Sequence, residues 1–218
     1  MLANELGLRG IHSVLVDDKP STAFNPQANA TQARTMEYYR RLGFADEIRA
    51  LGLPPDYPTD IAYFTRFATY ELARFSLPSA RAAKVRVATL SGSWSAAELP
   101  HRVSQKYVEA VLRRHAEAHS SVSINYGWRL LGFVDRDTHV DAELQEVAGG
   151  DRREIRAAYL VGADGARSLV RRKLGFQYMG EAGAVRDFFG GRMYALYLRA
   201  PDFYTVVPHA PAWMYVTR

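Results

Sequence analysis

The sequence predicts an α/β fold in which a parallel-sheet domain is interleaved with a strand-rich module. Three observations predict it. A helix end at Leu2 to Arg9 runs into the short apolar strand Ser13-Val14-Leu15-Val16, which stops on Asp17. Much later, Ala157-Ala158-Tyr159-Leu160-Val161 forms a continuous apolar run that delivers Gly162-Ala163-Asp164-Gly165 to the start of a helix. Between and after these lie aromatic and β-branched stretches that read as strands.

Taken in order, Leu2, Leu6 and Leu8 mark the apolar side of the first helix, and Gly10 suits the position past its end. The strand that follows is of the buried, parallel type, and Pro20 stops it. A polar loop, Ser21 to Asn29, leads to a helix expected over Ala30–Leu42, capped by Asn29 or Thr31 and ended by Gly43. A short helix is expected from Asp46 to Leu51. Composition shifts at Pro54-Pro55-Asp56-Tyr57-Pro58, and Ile61–Phe67 and Tyr70–Phe75 read as strands. After Pro100, Val103, Tyr107, Val108, Val111 and Leu112 fall on one helical face. Val122, Ile124, Tyr126 and Trp128 then alternate with polar residues, as do Val140, Ala142 and Leu144. Ala148-Gly149-Gly150-Asp151 is a hairpin turn. The returning strand is expected from Ile155 to a buried end at Tyr159–Val161, and a helix from Ser168 to Leu174. Strand signals recur at Met193–Leu198 and Tyr204–Val207.

Composition narrows the function. The 218 residues include no cysteine, which excludes disulfides, iron–sulfur clusters and thiolate zinc sites. No run approaches the ~20 apolar residues of a membrane helix, and Met1–Gly10 is too short and mixed for a secretory signal. The expected location is therefore the cytoplasm, with no membrane partner. The net charge of +5 and the basic clusters Arg152-Arg153 and Arg171-Arg172-Lys173 come without any nucleic-acid motif, so no nucleic-acid partner is expected. His115-Ala116-Glu117-Ala118-His119 lacks the glutamate directly after the first histidine that a zinc protease helix needs, and no metal site is expected. Ser91-Gly92-Ser93-Trp94-Ser95 lacks the glycine spacing of a nucleophile elbow. There is no Tyr-x-x-x-Lys pair of the short-chain dehydrogenase kind.

What remains is dinucleotide chemistry. Helix end, strand and terminal acid form the second half of a βαβ unit, in which an acid at the strand tip bonds the ribose hydroxyls. Asp17 stands there, although an Asp closing a strand before a turn has the same look. The glycine fingerprint that should lie about 20 residues earlier falls upstream of Met1. Asp164 and Gly165, at the tip of an apolar strand, stand where open α/β sheets bind ligands. The glycine permits close backbone approach, and the following helix N-terminus favours phosphate.

The run Gly162-Ala163-Asp164-Gly165-Ala166-Arg167-Ser168, with Val170-Arg171-Arg172-Lys173-Leu174-Gly175 after it, resembles the Asp-Gly motif of FAD-dependent aromatic hydroxylases. This is the family of para-hydroxybenzoate hydroxylase, phenol hydroxylase and polyketide hydroxylases. Leu2–Leu6 up to Val14–Asp17 is similar to its first helix and second strand. Ala33-Arg34-Thr35-Met36-Glu37 is similar to its next helix, and Arg102-Val103-Ser104-Gln105 with Glu109 to the helix on the flavin side. The resemblance implies a glutathione-reductase-type, Rossmann-like FAD-binding domain over 1–58 and 101–175, incomplete because it lacks the first strand and the glycine turn. It implies a partial substrate-side β module over 59–100 and 176–218. It implies that Arg34 approaches the FAD pyrophosphate, Gln105 the flavin side, and Asp164 a ribityl or ribose hydroxyl or, through water, the pyrophosphate. The implied parent uses FAD, NAD(P)H and O2 to hydroxylate a small phenolic or other aromatic substrate. The chain is then a fragment, missing sequence at both ends, and a homodimer or a complementing chain could complete it. A superfamily flavoprotein with another reaction, or a non-catalytic interaction module, would share these motifs.

Overall fold

A computed structural model describes residues 1–25, 27–67, 69–89, 91, 96–180 and 194–217. Residues 92–95 of the serine-rich stretch, and Met193, lie outside them. The described chain divides into two compact units. Unit 1 holds Met1–Ser13, Thr22–Val122 and Tyr197–Arg218. Unit 2 holds Val14–Ser21 and Ser123–Leu196.

Unit 1 begins with helix α1 (Leu2–Leu8). Strand β2 (Ala30–Thr31) precedes α2 (Ala33–Arg41) and α3 (Ala45–Ala50). The N-terminus of α2 corrects the sequence expectation. Ala30 and Thr31 are not helical, because they pair antiparallel with Arg102 and His101 of β5 (His101–Arg102). Gln32 is the capping position, with no side-chain cap. Helix α5 (Gln105–Glu117) lays Val108 and Val111 against Met36 and Tyr39 of α2 and Ile48 of α3, with Phe44 and Val103 closing the core. Full burial of such a side chain is worth about 1.5–3 kcal/mol relative to exposure, so this cluster is the main anchor of the unit. Asn4 of α1 is buried against it and donates to the Leu112 carbonyl at 3.0 Å.

The aromatic stretches form a three-stranded sheet in the order β10-β3-β4. Strands β3 (Ile61–Phe64) and β4 (Glu71–Phe75) are antiparallel, and β10 (Met214–Thr217) runs parallel to β3. One face buries Ala62 and Phe64 with Ala212 and part of Tyr215. Helix α4 (Ala80–Val87), which the hydrophobic pattern did not announce, starts where the Ser79 hydroxyl caps the Ala82 amide at 3.2 Å. The strand expected at Tyr204–Val207 is instead the single turn α7 (Phe203–Val206). Its rings stack edge-on, Phe203 on Tyr215 at 5.4 Å and Tyr204 on Tyr57 at 6.3 Å, contacts that a strand's alternation would pull apart.

All but the first residue of β1 (Ser13–Asp17) and of β6 (Val122–Tyr126) belongs to unit 2, and the two strands pair in a two-stranded sheet. The expected burial of β1 is not met: Val14 is 50% exposed, since a strand with a single neighbour covers little of its own surface. Gly127 separates β6 from β7 (Trp128–Asp135), so Trp128 belongs to the next strand. An antiparallel meander follows in the order β7-β8-β9, with β8 (Val140–Glu146) and β9 (Arg152–Ala157). Strand β9 stops at Ala157. The run Tyr159–Val161 is neither a strand nor buried, and Tyr159 is 87% exposed. A strand needs a hydrogen-bonded neighbour, and no described strand pairs with this segment. Residues 194–198, the described part of the next expected strand, likewise have no regular structure. The last element of this unit is α6 (Leu169–Lys173). Among the described residues no helix is long and apolar enough to cross a membrane, and no group of three or more His, Cys, Asp or Glu side chains could hold a metal ion.

Candidate cofactor site

Two of the predicted site residues lie in unit 1 and are held by the same helical layer. Arg34 sits in the first turn of α2, fixed there because Met36 and Tyr39 of that helix are buried. Its side chain is 78% exposed, and among the described residues it pairs with Glu37, three residues on, at 3.3 Å. Glu37 is tied elsewhere through its other oxygen, which accepts from the Ala97 amide at 2.9 Å. The Arg34 guanidinium therefore has donors to spare for an incoming anion.

Gln105 opens α5, and its side chain faces the loop expected from the sequence. Its Oε1 accepts from the Gln27 amide at 3.1 Å, and its Nε2 donates to Glu109 at 2.5 Å. The other Glu109 oxygen accepts from the Ala23 amide at 2.6 Å. The backbone adds Gln105 N–H to the Ala28 carbonyl and Val103 N–H to the Asn29 carbonyl. Gln105 and Glu109 thus fasten the segment between Thr22 and Asn29 onto α5. Each amide atom of Gln105 retains one further hydrogen-bonding valence.

Asp17 and Asp164 lie in unit 2. Asp17 ends β1, accepts from the Lys19 amide at 2.9 Å and faces the Lys19 ammonium at 3.6 Å. Asp164 is exposed and lies ahead of α6. One oxygen accepts from the Ser168 hydroxyl, the other from the amides of Leu169 at 2.6 Å and Val170 at 3.3 Å. Burial pushes its carboxyl upward, but the Ser168 and backbone hydrogen bonds outweigh it, so its pKa lies below the usual carboxylate range. Ser168 in turn caps the Arg171 amide at 2.9 Å. The expectation of a helix N-terminus open to phosphate is thereby corrected: the amides of residues 169–171 are spent on Asp164 and Ser168. Gly165, with φ +75°, turns the backbone between them, and a Cβ there would meet nothing within 4 Å. An L side chain would strain this turn, whereas glycine leaves it open to close approach by a ligand.

The structural roles of two residues escaped the sequence reading. Ser168 was named only as a motif residue and helix start; its cap on the Arg171 amide and its bond to Asp164 come from the fold. Glu109 was visible only as a motif position; its grip on the loop required the fold.

A family model described as FAD binding domain matches residues 1–217. The chain belongs to the FAD binding domain family. Among members with known activities, the FAD-dependent monooxygenase opdD of Penicillium oxalicum is 34% identical over 146 residues, 66% of this chain and 28% of its own length. Aklavinone 12-hydroxylase DnrF of Streptomyces peucetius is 30% identical over 215 residues, 97% of this chain and 41% of its own. A solved structure of the rebeccamycin biosynthetic enzyme RebC with reduced flavin is 30% identical with a TM-score of 0.67, covering 80% of this chain and 32% of that one. The chain therefore spans less than half the length of each of these relatives.

Proposed function

We propose that this chain is the FAD-contacting part of an aromatic-ring monooxygenase. The observation that carries the reading is the family match across residues 1–217, joined to an exposed Arg34 guanidinium that keeps donors beyond its contact with Glu37. In this reading Arg34 takes the pyrophosphate in paired hydrogen bonds. Gln105 uses its remaining donor and acceptor toward the flavin side, and Asp17 accepts from ribose hydroxyls. Gly165 lets the backbone approach the cofactor closely, while Asp164 holds that turn by capping α6 and offers its remaining lone pairs to a ribityl or ribose hydroxyl. Each feature taken by itself supports the reading: Arg34 keeps guanidinium N–H donors beyond its Glu37 contact, and the turn at Gly165 is open to a ligand. When bound, FAD supplies the redox chemistry, with NAD(P)H as reductant and O2 as co-substrate. The protein's part is to bind, orient and shield. The proposed substrate is a small phenolic or other aromatic ring, and the proposed setting is cytoplasmic.

The same reading holds that the FAD sheet is Rossmann-like and is completed by a strand and glycine turn outside residues 1–218, in a longer chain or from a partner. The run Tyr159–Val161, which no described strand pairs, and the half-exposed β1 support this, as does the fraction of each relative that the chain spans. The division into FAD-side stretches 1–58 and 101–175 and substrate-side stretches 59–100 and 176–218 belongs to the same proposal. The test is FAD titration followed by flavin fluorescence quenching. The 218-residue chain should bind more weakly than about micromolar, because several charge-assisted contacts of ~1.5–3 kcal/mol each are missing. A version extended upstream by a strand and glycine turn should bind at least tenfold more tightly, and Arg34→Ala should weaken that gain. An extended chain that ignores both FAD and the Arg34 substitution would overturn the assignment.

A further inference from the structure

Strand β9 forms one edge of the meander in unit 2: β8 covers one of its sides, and no described strand pairs with the other. The ladder determines which backbone groups that edge offers. The Glu146 amide donates to the Asp151 carbonyl at 2.8 Å, while the next amide, Val147, donates to the Gly127 carbonyl on the β7 side. Antiparallel strands turn successive residues to alternate neighbours in this way. Carried along the register, Arg153, Ile155 and Ala157 spend their N–H and C=O groups on Leu144, Ala142 and Val140 of β8. Arg152, Glu154 and Arg156 therefore turn theirs outward. A row of donors and acceptors of this kind is a template for another strand.

The side chains indicate which strand. Arg152, Glu154 and Arg156 are exposed and lie opposite Gln145, Glu143 and Asp141. Arg152 takes Glu143 at 2.8 Å. Arg156 takes Asp141 through Nε at 2.9 Å, and its Nη donors remain for a further acceptor. Glu154 stands directly opposite Glu143, a like-charge pair that disfavours the sheet. The Glu154 carboxylate makes no hydrogen bond or ion pair with any described residue. Charges on an edge strand keep copies apart when they share one sign. Here an acid stands between bases, and the spacing is self-complementary.

We propose that β9 is a self-pairing edge, to which a second copy of this chain adds its own β9 antiparallel across a two-fold axis at Ile155. In that register Glu154 of each chain faces Arg156 of the other. These are also residues whose backbone groups point outward, so each such pair exchanges both of its N–H···O bonds. The two Ile155 side chains, half-buried in the single chain, meet on the opposite face, next to the buried Ala142. Arg153 falls opposite the small side chain of Ala157, and no like charges stand directly opposite. An axis at Glu154 would instead set Glu154 against itself and Arg152 against Arg156, which repulsion disfavours. A contact one strand long is small beside a standard interface of ~1,200–2,000 Å², so the association is reversible, with a midpoint on the order of 10–100 µM. The proposal concerns unit 2 alone and does not rest on the FAD reading.

The test is sedimentation equilibrium of the 218-residue chain without FAD, up to about 1 mM, with thermal melts to establish that each variant is folded. The unaltered chain should dimerise. Glu154→Lys sets cations against Arg156 at both symmetric pairs and should weaken the dimer at least about tenfold. Arg156→Glu should do the same with anions, and Asp141 keeps Arg136 and His139 as partners in that variant. An equimolar mixture of the two variants restores opposite charges at both pairs and should recover the dimer. In the unaltered chain, the Glu154 and Arg156 amides should gain hydrogen-exchange protection as concentration rises, while those of Arg153 and Ile155, already bonded to β8, should not. Should either variant fail to fold, that exchange pattern decides alone. A chain still monomeric at about 1 mM, a dimer unaffected by a folded Glu154→Lys, or folded variants that mix without recovering the dimer would each overturn the proposal.

Discussion

Replacing Glu109 by alanine should release the loop before α2 while leaving the helical core in place. Its two oxygens accept from the Ala23 amide at 2.6 Å and from the Gln105 side chain at 2.5 Å. Hydrogen bonds to a charged group contribute ~1.5–3 kcal/mol each. Glu109 is half-buried, so water reaches the freed donors and the lower end applies, about 3 kcal/mol for the two together. Most of that should appear as easier local opening of residues 22–29, because Val108 and Val111 on the same helix keep their burial in the core. Hydrogen exchange reads this directly. The Ala23 and Gln27 amides should exchange roughly a hundredfold faster in Glu109→Ala, since 1.4 kcal/mol is a factor of ten. Amides inside α5 should be little changed. Glu109→Gln should fall between, as its one carbonyl oxygen can serve one donor while its NH2 group faces the other. If the Ala23 and Gln27 amides exchanged within about threefold of the unaltered chain, the clamp would carry no energy and the reasoning from these distances would be wrong.

Two further predictions concern the buried cluster beneath β5. His101 is 4% exposed and its pKa is lowered to about 4, first by burial and then by the neighbouring Arg49 charge. Unfolded, it titrates near its ordinary value of 6.5. Between these values the unfolded chain binds a proton that the folded chain refuses, so stability is full above about pH 6.5 and declines as pH falls toward about 4. The loss attributable to this residue should reach roughly 3 kcal/mol, and urea midpoints from pH 7 to pH 4 should lose that component of their slope in His101→Gln. Gly52→Ala should destabilise by about 1–3 kcal/mol in the same assay, because a Cβ would run into the His101 ring and the Arg102 carbonyl oxygen.

What the sequence disclosed and what it withheld divide along one physical line, between features set by local chemistry and features set by neighbours. Helices α1, α2, α3, α5 and α6 and the hairpin turn after β8 were legible because apolar spacing and capping residues act within a turn or two. Ala30–Thr31 was misread as helix because its partner, His101–Arg102, is 70 residues away, and nothing local marks such pairing. Tyr159–Val161 shows the reverse case. Its composition is that of a buried strand, and composition states what a segment would do with neighbours on both sides. Without a described partner it has no regular structure, and Tyr159 and Val161 stay exposed. The site residues follow the same rule. Asp164 was recognisable from the strand-to-helix junction, yet its actual partners, the Ser168 hydroxyl and the amides of Leu169 and Val170, assign it a capping task that the motif alone does not reveal. Arg102 was noted only as part of a motif, although its guanidinium makes no hydrogen bond or ion pair with any described residue. An arginine's partner, or the lack of one, is a property of the folded neighbourhood: here Trp213 lies 111 residues away and supplies a ring face in place of a carboxylate.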